Sequence, residues 1–136
     1  MIRGADLICF PTGSFYSSVL SNLLVEGVGH AIAEADCPKL YIPNMGDDPE
    51  QLGMSLSDSV ERILDVVRRD AGEDTPTERI VDRVLIDSRA GRYEMPMDTA
   101  NLEDLGVEVV DVQLVRETGW QLIDGRMLAE CVVSLC

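Results

Sequence analysis

The residues best suited to chemistry are Pro11-Thr12-Gly13-Ser14-Phe15-Tyr16-Ser17-Ser18, set between the apolar run Leu7 to Phe10 and a helical pattern of Val19, Leu20, Leu23 and Leu24. A tight turn that opens a helix leaves backbone N–H groups without intrahelical partners, and these suit an anion such as a phosphate or a carboxylate. Gly13 lets a ligand approach the backbone closely. The amides of Ser14, Phe15 and Tyr16 face such a guest, and the hydroxyls of Thr12, Ser14, Ser17 and Ser18 supply further hydrogen bonds. An ordinary turn and helix cap would use the same residue types. No Gly-Lys-Ser/Thr triplet occurs, so this is not a P-loop.

A second polar loop, Asn44 to Gln51, offers the amide of Asn44 and the acids Asp47, Asp48 and Glu50. Such a carboxylate group either holds magnesium through one or two acids or forms a solvated acidic turn. A third loop carries Asp87-Ser88-Arg89 and Arg92, arginine being able to grip phosphate at two points. A serine hydrolase is set aside: Ser14 lacks the Gly-x-Ser-x-Gly surroundings, and His30 reads as a partly exposed helix residue.

These loops need a scaffold that brings them together. Asp6 to Phe10 reads as a strand buried on both faces, central in a parallel sheet. A helix follows from Tyr16 to Leu24, with a break near Glu26-Gly27 before Val28, Ala31, Ile32 and Ala35 resume the pattern. Lys39 to Pro43 is the second strand. Ser55 and Asp58 form a capping box for a helix with Val60, Ile63, Leu64 and Val67 on its buried stripe, stopped by Gly72. Thr75-Pro76 starts a short turn, and Val81 to Asp87 is the third strand. Asp98 or Thr99 caps a short helix ending at Gly106, and Val107 to Val112 is the fourth strand. Asp124 caps a last helix with Met127, Leu128, Cys131, Val132 and Leu135 on one face. Alternation of strand and helix predicts βαβ units around a mainly parallel sheet, with ligands beyond the carboxyl ends of the strands.

Length and composition fit this reading. The 136 residues make one domain with a core of Leu, Val and Ile, since aromatic content is 4%. A formal net charge of −14 argues against nucleic acid or an anionic membrane as partner, though not against a small anion held by local amides. Cys9, Cys37, Cys131 and Cys136 form no Cys-x-x-Cys pair, and Cys9 and Cys131 read as small buried hydrophobes. No signal peptide or membrane span is legible, which predicts a cytoplasmic location.

The segments Ala5 to Cys9, Gly13 to Val19, Asn22-Leu23-Leu24, Gly27-Val28 and Ala31-Ile32 resemble the second half of CofD-like proteins. That superfamily joins 2-phospho-L-lactate transferases with gluconeogenesis-factor (UPF0052-type) proteins that bind UDP-sugars. The similarity continues through Pro38 to Asn44 and into the helix from Asp58 to Leu64. Pro11 to Ser18 together with Asp48 to Ser55 is most similar to the CofD-like member of a bacterial gene set that also holds an ATP-grasp protein. The resemblance implies an α/β, Rossmann-like three-layer sandwich, present here as the carboxyl-terminal portion of a larger domain. It further implies a phosphorylated or nucleotide-linked ligand held by Thr12, Gly13, Ser14, Ser17, Ser18 and Asn44. Magnesium is implied for the transferase branch, its ligands lying outside this chain. The function it implies is phospholactyl-transferase-like, the alternative being a non-catalytic sugar-nucleotide sensor. Pro11 and Thr12 replace the family's Gly-Pro, and no Gly-Gly-Thr-Gly or Asp-Asp-Gly-Gly segment precedes Asp6. If half a sheet is absent, its bare edge is expected to drive homodimerisation or aggregation, and the piece alone is expected to be inactive.

Overall fold

The computed structural model describes residues 1–116 and 122–136. Four strands, β1 (Ile8–Phe10), β2 (Lys39–Tyr41), β3 (Arg83–Ile86) and β4 (Glu108–Asp111), pair in sequence order, every pair parallel. This is the expected α/β arrangement. Because each right-handed crossover steps the same way, the intervening helices share one face of the sheet. They are α1 (Ser21–Leu23), α2 (Val28–Glu34), α3 (Leu56–Ala71) and α4 (Thr99–Asp104). The opposite face is covered by α5 (Gly125–Leu135).

Side chains sort by the two-residue period of a strand. Phe10, Tyr41, Val84 and Ile86 join the larger core with Val19, Leu23, Ile32, Val60, Ile63 and Val67. Leu40, Ile42 and Leu85 point the other way, onto Leu128, Cys131, Val132 and Leu135 of α5. Of the stripe expected on α5, Leu128, Cys131, Val132 and Leu135 pack there, and Met127 is not among them.

Helix α3 starts with both halves of the capping box: Ser55 Oγ accepts from the Asp58 amide and Asp58 Oδ2 from the Ser55 amide. Gly72 ends it at φ +114°, and Gly27 opens α2 at φ +86°, the left-handed region that favours glycine. Gly29 lets α2 and α3 meet closely, since a Cβ there would stand 2.7 Å from the carbonyl oxygen of Val67.

Two expectations are corrected. β1 is an edge strand among the described residues, with Cys9 exposed rather than buried, because nothing pairs with its outer side. The first helix does not begin as a plain α-helix at Tyr16. Phe15–Leu20 is a π-helix that runs into α1, with the amides of Ser18 and Val19 both converging on the Ser14 carbonyl.

Candidate functional site

The carboxyl ends of β1, β2 and β3 release their loops on one side of the molecule, where hydrogen bonds lock them together. Asn44, just past β2, binds Gly13 reciprocally: the Gly13 amide donates to Asn44 Oδ1 at 2.8 Å, and Asn44 Nδ2 donates to the Gly13 carbonyl at 2.7 Å. The Asn44 amide also reaches Asp48 and Gln51. Gly13 holds φ at +146°, which places its carbonyl and amide for this exchange. The third loop joins through Gly46, whose amide donates to the Arg92 carbonyl at 2.9 Å.

The helix-opening amides do find anions, and these belong to the protein. Phe15 donates to Asp48 Oδ2 at 3.0 Å. Tyr16 and Ser17 donate to Glu50 Oε2 at 2.8 and 3.1 Å, and the Ser17 hydroxyl donates to Glu50 Oε1 at 2.8 Å. Hydrogen bonds from the Ser17 hydroxyl and amide, then the Tyr16 amide, hold the Glu50 carboxyl below its ordinary range. The acids of the second loop therefore act as ties between loops, a role their composition does not signal.

Of the residues singled out in the sequence, Thr12, Gly13 and Asn44 line a cavity of about 420 Å³, shared with Met45 and with Leu122, Ile123, Gly125 and Leu128 at the start of α5. Ser14 is exposed and turns its carbonyl into the π-helix. Ser17 is engaged by Glu50. Ser18 lines a separate, apolar cavity beside β1. The structure thus brings three of the six named residues to one cavity.

Beneath this surface the buried Tyr41 and Asp87 both have hydrogen-bond partners. Tyr41, pushed up to about 12 by burial, receives a hydrogen bond from Gln51, whose amide also reaches Ser59 at 2.9 Å. Asp87 is buried, yet the amides of Leu114, Ala90, Val115 and Arg89 outweigh that burial and lower its pKa. It is a structural anchor for the chain after β4, which sequence reasoning did not identify. Arg89 lines a neighbouring cavity of about 370 Å³ with Asp111 and Gln113. His30 is exposed on α2 and lies 3.1 Å from Glu34, as its helix setting suggested.

Magnesium finds no suitable donor set here. Among the described residues no group of three or more His, Cys, Asp or Glu could hold a metal, and Asp48 and Glu50 spend their oxygens on backbone amides and on the Asn44 and Ser17 side chains. No helix among them is long and apolar enough to cross a membrane.

Comparison with known proteins gives a consistent result. A family model described as 2-phospho-L-lactate transferase CofD matches residues 1–126. A gluconeogenesis factor from Bacillus subtilis is 32% identical over 128 residues, covering 85% of this chain and 38% of the relative. A putative gluconeogenesis factor from Clostridium acetobutylicum is 38% identical, covering 98% of this chain and 31% of the relative. A crystal structure of a UPF0052-family protein from Bacillus halodurans superposes with a TM-score of 0.74 at 27% identity, covering 97% of this chain and 44% of that one. The chain spans less than half the length of these relatives.

Proposed function

This chain belongs to the CofD family, and from that premise we propose that it forms one wall of a site for a phosphorylated or nucleotide-linked small molecule in a phosphotransferase-type reaction. The observation that carries this reading is the Gly13–Asn44 pair at the rim of the 420 Å³ cavity. Ligand sites of open parallel sheets lie at the carboxyl ends of the strands, which is where this cavity opens. Thr12, Gly13 and Asn44 are the proposed contacts, with the exposed Ser14 beside them. Ser17 joins only if Glu50 releases it, and Ser18 lines the other cavity.

Phosphoryl-type transfer needs positioning and charge stabilisation more than a covalent nucleophile, and no nucleophile is required of these residues. Asn44 can both donate and accept, so it can orient a ligand while keeping the two loops in register. Magnesium supplies charge neutralisation in such transfers; the residues here do not fit it, and no step is derived through it.

The gluconeogenesis-factor names of the relatives support a second reading, a sugar-nucleotide-binding module without chemistry. Calorimetric titration with GDP and with a UDP-sugar, with and without magnesium, tests both. Binding weakened at least tenfold by Asn44→Ala supports the site. No binding of either nucleotide overturns it, and UDP-sugar binding without product in a full-length relative favours the sensor.

A further inference from the structure

We infer that the Gly13–Asn44 pair offers a ligand only hydrogen-bond acceptors, and so meets a hydroxyl- or N–H-bearing ring and not a phosphate; this rests on the reading of their cavity as a ligand site. The ligand would then lie with its sugar or base inside the cavity and its phosphates outside it.

A backbone amide only donates and a backbone carbonyl only accepts. Facing Asn44, the Gly13 amide therefore fixes Oδ1, at 2.8 Å, and the Gly13 carbonyl fixes Nδ2, at 2.7 Å. The two hydrogens of Nδ2 meet three acceptors: the Gly13 carbonyl, Asp48 Oδ2 at 3.2 Å and Gln51 Oε1 at 3.3 Å. No donor is left over. Buried Gln51 cannot turn round to supply one, since its Nε2 donates to Ser59 Oγ at 2.9 Å. The Ser59 hydroxyl is committed in turn, donating to the Ser55 carbonyl at 3.0 Å. Among the described residues, what the pair keeps is one lone pair on Asn44 Oδ1 and one on the Gly13 carbonyl.

The surrounding charge points the same way. A phosphate oxygen set against these lone pairs would leave acceptors unpaired on both sides. Asp48 adds a negative charge beside the Asn44 amide, and no Lys, Arg or His is among the described residues that line the cavity. The amides of Phe15, Tyr16 and Ser17 are already bound to Asp48 and Glu50. Opposite the pair, Met45, Leu122, Ile123 and Leu128 make an apolar wall against which the face of a sugar or base can lie. The exposed hydroxyls of Thr12 and Ser14 can donate to phosphate oxygens.

The free protein is tested by NMR exchange of the Asn44 side-chain amide. Both Nδ2 protons are expected to exchange about tenfold or more slowly than those of a free asparagine, the equilibrium weight of a hydrogen bond. An Nδ2 proton exchanging at the free rate overturns the inference. The ligand arm titrates UDP or GDP, whichever binds, with its 2′,3′-dideoxy and base-N-methyl analogues and with inorganic pyrophosphate. The nucleotide should shift the Asn44 side-chain and Gly13 amide signals, and pyrophosphate at equal concentration should not. One analogue should bind about tenfold more weakly, the dideoxy form if a ribose hydroxyl is the donor and the methylated form if a base N–H is. Pyrophosphate shifting the Asn44 signal, or both analogues binding like the parent, overturns the inference. If neither nucleotide binds, the ligand-site reading falls and takes the inference with it. The exchange rates of the free protein tell that failure from a wrong assignment of the Asn44 donors.

Discussion

Glu50 grips Ser17 at two points, accepting from its amide at 3.1 Å and from its hydroxyl at 2.8 Å, while taking the Tyr16 amide at 2.8 Å. An acidic side chain of the second loop thus occupies the amides that a bound anion would use. Replacing Glu50 with Ala should speed amide exchange at Tyr16 and Ser17 and leave Phe15 protected by Asp48. Exchange measured residue by residue checks this; equal protection in both proteins would count against the tie. The contact also has a pH sign. The folded pKa of Glu50 lies below its ordinary 4.5, so the tie is complete above that value and fades as pH falls through the lower folded one.

Asn44→Ala removes both hydrogen bonds to Gly13 from a part-buried position. At about 1 kcal/mol net for each bond, the loss should be about 2 kcal/mol, read as a lower midpoint in urea. An unchanged midpoint would mean that the two loops are held by other contacts.

Gly29→Ala should destabilise although alanine is the better helix former. The added Cβ would meet the Val67 carbonyl oxygen at 2.7 Å and the Asp70 Cβ at 3.0 Å, both on the facing helix α3. Overpacking of this kind costs about 1–3 kcal/mol, more than the propensity gain. Thermal unfolding of the variant measures the balance.

Asp98 ties the start of α4 to the start of α3, accepting from the Ser57 amide at 2.9 Å and from the Ser57 hydroxyl. Burial raises its pKa, but the Ser57 and Asn101 hydrogen bonds prevail and bring it down to about 2. Its stabilising contribution is therefore full above the ordinary aspartate value of 3.8 and is lost as pH falls towards about 2. Urea midpoints across that window should fall less steeply in Asp98→Asn than in the parent protein.

Much of the scaffold is legible in residue order because local rules and tertiary packing agree there. Ser55 and Asp58, Gly72, Gly106 and Asp124 each end or open the element they mark. Strand boundaries come out shorter than the apolar runs: Val81 is buried yet precedes β3, since burial extends beyond the ladder. The position of β1 is not legible, because an apolar run looks the same at the centre of a sheet and at its edge. Of the candidate site, the three polar loops are legible in the sequence, and the reciprocal pairing of Gly13 with Asn44 is not. Nor is the role of Asp48 and Glu50, since pairing across 33 or 34 residues is invisible to local pattern.

Among the described residues, α5 is the helix that covers the second face of the sheet. Leu40, Ile42, Leu85 and Leu114 are buried under α5, whose eleven residues reach almost to Cys136. During synthesis those eleven residues are the last of this span to emerge, so the back of the sheet stays wet until translation passes Leu135. A premature stop before Gly125 would leave that apolar layer as a sticky target for chaperones, even with every loop of the site already made.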